Sequence, residues 1–234
     1  MITKPRGWTI VAFGGLFLLL AGCAYSGRID QSWTQKATWF SYLNGDDMRA
    51  RCAAGGGEEY RLVLNASYNE QLRSYEIRAL PEGGALLTAR VQSGSGIPVS
   101  RIALDDPLAA LRWTKAETRL SQADFERLRA ALTSDGLGDP PPAGLRLHSD
   151  EFYWLASGCR DGATLFHAWT YDSPDYAGLA FPQQLLAHDD TGLAVNPPHP
   201  PKRTARHRTR DNDTQLYFQL QVGQNGLAGH RTFF

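Results

Sequence analysis

Net charge is the first thing this chain lacks: Lys and Arg together number 24, and so do Asp and Glu. No global field recommends nucleic acid as a partner, and none is expected. Cysteine is scarce, with Cys23, Cys52 and Cys159 the only three in 234 residues. None of them stands in C-x-x-C spacing, which argues against a redox pair with a depressed thiol pKa. Familiar catalytic signatures are missing as well. There is no G-x-x-x-x-G-K-S/T, no G-x-G-x-x-G and no H-E-x-x-H, and Gly55-Gly56-Gly57 reads as a linker. Ser95 lies in Ser93-Gly94-Ser95-Gly96, without the leading glycine of a nucleophile elbow. The sequence therefore assigns no catalytic residue, no metal ligand and no cofactor.

What is present describes a globular protein. A hydrophobic content of 42% with 21% charged residues can build a core. The length suits one ordinary domain. The charges are unevenly placed. Lys4 and Arg6 lie near the start, and Lys202, Arg203, Arg206, Arg208 and Arg210 form one basic run. Setting these seven aside leaves 17 basic against 24 acidic residues, so the body of the chain is acidic.

One long apolar run occurs, and it is N-terminal. After the cations Lys4 and Arg6 comes Thr9-Ile10-Val11-Ala12-Phe13-Gly14-Gly15-Leu16-Phe17-Leu18-Leu19, ending at Leu20-Ala21-Gly22-Cys23. These four last residues resemble the lipobox of bacterial lipoprotein signal peptides: Leu, a small residue, Gly or Ala, then Cys. The resemblance covers the leader alone and names no family for the rest. It implies a signal peptide over 1–22, acylation of Cys23 by membrane lipid, and a tether over 23–28. The alternative is an uncleaved anchor, since Gly7 to Gly27 carries no charge. Against it, the strongly apolar part from Ile10 to Ala21 is short for a span, and Gly14, Gly15 and Gly22 dilute it. Ala24 is not the Asp that favours inner-membrane retention in such lipoproteins. The implied location is the bacterial cell envelope, on the periplasmic face of the outer membrane if the host has two membranes.

Giving Cys23 to lipid leaves Cys52 and Cys159 as an even pair in an exported chain, where disulfides persist. Closing that loop is worth about 4 to 5 kcal/mol in the chain-entropy model. Two buried free thiols are the alternative.

Residues 29–234 read as a single α+β domain, with a mainly antiparallel sheet of about six strands and two or three helices. Ile29, Trp33, Ala37, Phe40 and Leu43 form a helical stripe ended by Asn44-Gly45, with Asp46 or Asp47 capping a short turn toward Cys52. Alternation around Tyr60–Leu64, Ser74–Ala79 and Leu87–Val91 predicts a three-strand meander with one wet face. Asp105–Thr118 has no steady period, although Asp106-Pro107 resembles a helix start. Ser121 and Asp124 form a capping box, and Leu120 with Phe125 a hydrophobic staple, ahead of the stripe Phe125, Leu128 and Leu132. Gly136 or Gly138 and then Pro140-Pro141-Pro142 stop that helix. Asp161-Gly162 predicts a hairpin turn between two aromatic strands. Pro182–His188 reads as one or two helical turns, and Leu216–Val222 as a last strand before a frayed tail. A Pro-rich and basic loop occupies about 196–211.

Three functions remain open at this point. The first is a non-catalytic envelope lipoprotein that tethers, scaffolds or assists assembly of an envelope protein partner. Its basic run, Lys202, Arg203, Arg206, Arg208 and Arg210, would touch anionic headgroups, each cation worth about 1 kcal/mol near the surface. The second is a binding module for a hydrophobic or glycan ligand, using Tyr153, Trp154, Trp169 and Tyr171. The third is a hydrolase with an unfamiliar site at His148, Asp150, Glu151 and His167.

Overall fold

A computed structural model of the chain describes residues 32–93, 113–200 and 217–233. The leader with Cys23, Ser95, the Asp106-Pro107 pair and the Lys202–Arg210 run lie outside those residues. The described elements are α1 (Ser32–Asn44), α2 (Asp46–Ala53), β1 (Glu59–Ala66), β2 (Gln71–Ala79), β3 (Ala85–Ser93) and β4 (Thr114–Leu120), followed by α3 (Gln122–Ser134) and β5 (Arg146–His148). Then come β6 (Phe152–Arg160), β7 (Ala163–Thr170), a 3-10 turn (Tyr176–Gly178), α4 (Phe181–Leu186), β8 (Tyr217–Val222) and β9 (Leu227–Phe233). Six strands form one antiparallel sheet in the order β4-β3-β2-β1-β6-β7, and a second small sheet runs β5-β8-β9. The fold is α+β and mainly antiparallel, as the alternation requires.

The sheet is the middle layer of three. Tyr60, Leu62, Leu64, Tyr75, Ile77, Leu87, Trp154 and Trp169 point to one face, which α3 and α4 cover with Phe125, Leu128, Leu132, Phe181 and Leu185. Val63, Leu72, Tyr153, Leu155, Phe166 and Ala168 point to the other. There they meet Trp39, Tyr42 and Leu43 of α1, and Leu147, Phe218 and Leu220 of the small sheet. The expected wet face of the meander is therefore not wet. Arg61, Val63 and Asn65 are 2%, 2% and 1% exposed. Their polar members enter the interior because each is bonded there. The Arg61 guanidinium donates to the Asp47 carboxylate at 2.8 Å and to the Tyr42 carbonyl at 2.9 Å. The Asn65 amide donates to the carbonyls of Ser149 and Glu151.

Local signals map onto local structure. Asn44-Gly45 ends α1, with Gly45 at φ +70°. A side chain there would strike Ser157 Oγ at 2.8 Å, so the position needs glycine for its conformation and its space. The turn expected at Asp46 and Asp47 is a full eight-residue helix. Neither aspartate caps it. Asp46 accepts from Ser41 and Asn44, and Asp47 from Arg51 and Arg61, while both carboxylates sit favourably in the first turn. Ser121 does cap α3, its Oγ accepting from the Asp124 amide at 3.1 Å. Asp161 and Gly162, at φ 53° and 74°, make the two-residue β6–β7 turn.

Other expectations change. The aperiodic stretch before Leu120 contains β4, and the tail expected to fray carries β9. The main sheet has the six strands expected, and three more form the small sheet. The pairing of Cys52 with Cys159 is present, with Cα atoms 5.6 Å apart and a sequence separation of 107. It ties α2 to β6.

Candidate functional site

An opening lies along the outer edge of β7. It is a cleft of about 700 Å³, within the range of about 300–1,000 Å³ usual for ligand pockets. Its floor is Ala168, Trp169 and Thr170 of β7. One wall is Asp135, Gly136 and Asp139 after α3, with Ser173–Asp175 and Leu179 ahead of α4. The opposite wall is Pro142 and Leu145, on the side of the sheet where Leu145 joins the small-sheet core. The connection from α3 on one face to β5 on the other contributes to both walls.

Asp135 fixes the first wall. Its carboxylate accepts from the amides of Ala180 and Phe181, both at 2.8 Å, where α4 starts. Its carbonyl accepts the Trp169 indole N–H at 2.8 Å. One residue thus joins the end of α3, the start of α4 and the β7 strand. His167 lies beside Trp169, ring centroids 4.7 Å apart, and its Nδ1 is buried without a partner among the described residues. Burial pushes the His167 pKa down, opposed by the charge and the carbonyl of Asp139. A neutral ring is the form this environment favours.

The cleft is acidic. Asp135, Asp139 and Asp175 line it, and among the described residues no Lys or Arg does. Asp139 and Asp175 are exposed.

The floor strand β7 is the last of the six-stranded sheet. The Tyr171 amide donates to the Phe152 carbonyl at 2.9 Å. Bonded pairs alternate in an antiparallel ladder, so Trp169 and His167, opposite Trp154 and Ala156, bond to β6. Ala168 and Thr170 therefore turn their backbone groups away from β6, and those of Ala168, a residue 3% exposed, are covered. The Thr170 carbonyl accepts from Ser173. Among the described residues nothing bonds the Thr170 N–H or either backbone group of Ala168.

The aromatic residues read from sequence do not form one surface. Tyr153 is buried against α1 and the small sheet, and Trp154 is buried on the opposite face against Phe181. Trp169 packs on Phe181 as well, at 5.0 Å, and reaches the cleft with its edge. Tyr171 alone is open, 40% exposed, with its ring against Tyr176. Alternation of adjacent strand residues separates Tyr153 from Trp154 by construction.

The four hydrolytic candidates also stay apart. His148 sits in the small sheet against Gln219 at 3.1 Å, and its amide donates to the Glu151 carboxylate. His167 pairs with Ala156, five positions along from Glu151, which is about 17 Å at the rise of a strand. Among the described residues no group of three or more His, Cys, Asp or Glu side chains is placed to hold a metal ion.

Two buried ionic clusters had no sequence assignment. Arg73 is wholly buried and donates to Gln71, to the Asp189 carboxylate at 2.5 Å and to the carbonyls of Leu193 and Ala194. Burial would raise the pKa of Asp189, but bonds from Thr191 and Tyr75 and the charge of Arg73 hold it below the ordinary range. On the other face Arg61 and Arg90 flank Glu76, while Arg51 bridges Asp47 and Glu59. Both clusters join strands to the segments that cover them. The signal was available in part: charged residues recur inside apolar strands, and such charges need partners.

No family model matches the chain, and neither a curated protein nor a solved structure is similar enough to match it.

Proposed function

We propose that this chain is a lipid-anchored protein of the bacterial cell envelope with a non-catalytic role in tethering or assembling a partner protein. The observation that carries the reading is the Cys52–Cys159 bridge, which crosses from α2 to β6 within the packed core. Such bonds persist in exported proteins and are rare in reducing compartments. It agrees with the leader, where Leu20-Ala21-Gly22-Cys23 supplies an acylation site. Eight residues separate Cys23 from Ser32 at the start of α1. Fully extended they reach about 30 Å, so the folded domain is held near the bilayer and whatever it binds is held there with it. The cleft beside β7, lined by carboxylates and by apolar residues, supports a role in recognising a partner.

The test is metabolic labelling with a palmitate analogue. The native chain incorporates label and is shortened by 22 residues. Cys23→Ala incorporates none and keeps its full length. Label retained by Cys23→Ala overturns the anchor.

A further inference from the structure

The stretch from Pro197 to Pro201 reads Pro-Pro-His-Pro-Pro. Each proline ring fixes its own φ, and each residue ahead of a proline is kept out of the helical region. Asn196, Pro197, His199 and Pro200 all precede a proline, so the segment is built for the extended polyproline II conformation. Residues 196–200 belong to neither sheet. Two of them tie the segment to the domain. The Asn196 amide donates to the Gln71 side chain at 3.0 Å. His199 meets the Glu70 carboxylate through Nε2 at 3.0 Å and sets its ring edge-on to Phe152, centroids 4.9 Å apart. The two ties are three positions apart, which matches a polyproline helix of about three residues per turn.

That repeat leaves the other positions outward. Asn196 and His199 are half-buried, whereas Pro197, Pro198 and Pro200 are exposed. Among the described residues the exposed large apolar side chains are Tyr171 and Leu193, and both lie by this segment. Tyr171 borders the same small hollow as His199. Leu193 stands four residues ahead of Pro197, in the stretch that Arg73 holds to the sheet. A spacer crossing from α4 to β8 needs neither an anchor at each turn nor an apolar flank. A fixed ridge of outward prolines beside exposed apolar side chains is suited to recognition.

We propose that Pro197–Pro200 is a docking ridge for a partner protein whose groove is lined with Trp and Tyr side chains and reads polyproline II. Proline rings pack on aromatic faces, and a segment whose φ angles are already fixed loses little entropy on binding. The ties at Asn196 and His199 hold the ridge in place before the partner arrives. The proposal names the surface and the class of partner for the tethering role above, and rests on that reading. The two can fail separately, because palmitate label reports the anchor and proline dependence reports the ridge.

The experiment replaces Tyr171 with the photocrosslinker p-benzoylphenylalanine in the full chain and irradiates the intact envelope. An adduct with a second protein is expected, and its digestion maps the link beside Trp or Tyr residues of that protein. A capped heptapeptide of residues 195–201 in excess reduces the adduct at least about fivefold, and the same peptide with Ala for every Pro does not. Pro197→Ala, Pro198→Ala and Pro200→Ala together reduce it at least about fivefold as well. The urea midpoint of that triple variant stays unchanged, because all three rings are exposed. An adduct that persists in the presence of the native peptide, or in the triple variant, overturns the proposal. So do equal competition by the two peptides, the absence of any adduct, and a link between two copies of this chain, which would make a second copy the occupant.

Discussion

Arg73 shows how one residue can organise a region without any local sequence signal. It lies on β2, beside Tyr75 and on the same face, where an apolar residue would ordinarily stand. Its guanidinium instead gathers the 187–196 stretch, through Asp189, Leu193 and Ala194, onto the sheet. Gln71 completes the clamp, its side chain bonding Arg73, the Ala194 carbonyl and the Asn196 amide. Desolvating a charge is costly, and only this density of partners offsets it. Arg73→Met keeps the bulk but leaves Asp189 buried without its cation. The variant should lose about 3–5 kcal/mol in urea denaturation. Adding Asp189→Leu should cost less than the two single changes summed, because the orphaned charge is then gone. A loss under about 0.5 kcal/mol for Arg73→Met, the size typical of surface substitutions, would show that the clamp is not a structural element.

At the scale of elements, the features read most reliably were those whose cause is a few neighbouring residues. The capping box at Ser121, the Asn44-Gly45 stop and the Asp161-Gly162 turn each depend on local backbone geometry, and each is found where expected. Gly45 offers the sharpest test, since two requirements coincide there. Gly45→Ala imposes a Cβ on a left-handed residue and drives it against Ser157 Oγ. The expected loss is about 1–3 kcal/mol in thermal or urea unfolding, with α2 and its salt bridges to Arg61 most affected. β4 was missed for an equally physical reason. Its outer positions Lys115, Glu117 and Arg119 are exposed, and among its inner ones Ala116 and Thr118 are small or polar, so no hydrophobic alternation marks it. β9 pairs with β8 through a bulge and is exposed at Ala228 to Arg231, which gives a tail-like sequence a strand's backbone.

For the whole molecule, the bridge between Cys52 and Cys159 is the longest-range covalent constraint, closing a loop of over 100 residues. It holds α2 against the sheet at the point where Met48 and the Arg61 cluster are buried. Replacing both cysteines with Ser, or reducing the native chain, should lower stability by about 2–5 kcal/mol. The midpoint of urea unfolding with and without reductant measures it. Unchanged midpoints would mean that the three layers carry the fold unaided.

The sequence by itself determined the fold class, the secondary elements with local punctuation, and the single cysteine pairing left once Cys23 is assigned to lipid. These follow from periodicity, turn chemistry and counting, which act over a few residues or need no geometry at all. It did not determine that both faces of the sheet are covered, because Arg61 and Asn65 look like solvent positions until their distant partners are known. It did not separate Tyr153 from Trp154 as two halves of the core, nor keep His167 away from His148. The cleft was beyond its reach altogether. Which strand ends a sheet is decided by pairing among segments far apart in the chain, and Asp135 and Asp139 of the α3–β5 connection meet Asp175 of the β7–α4 connection only once those segments pack along β7.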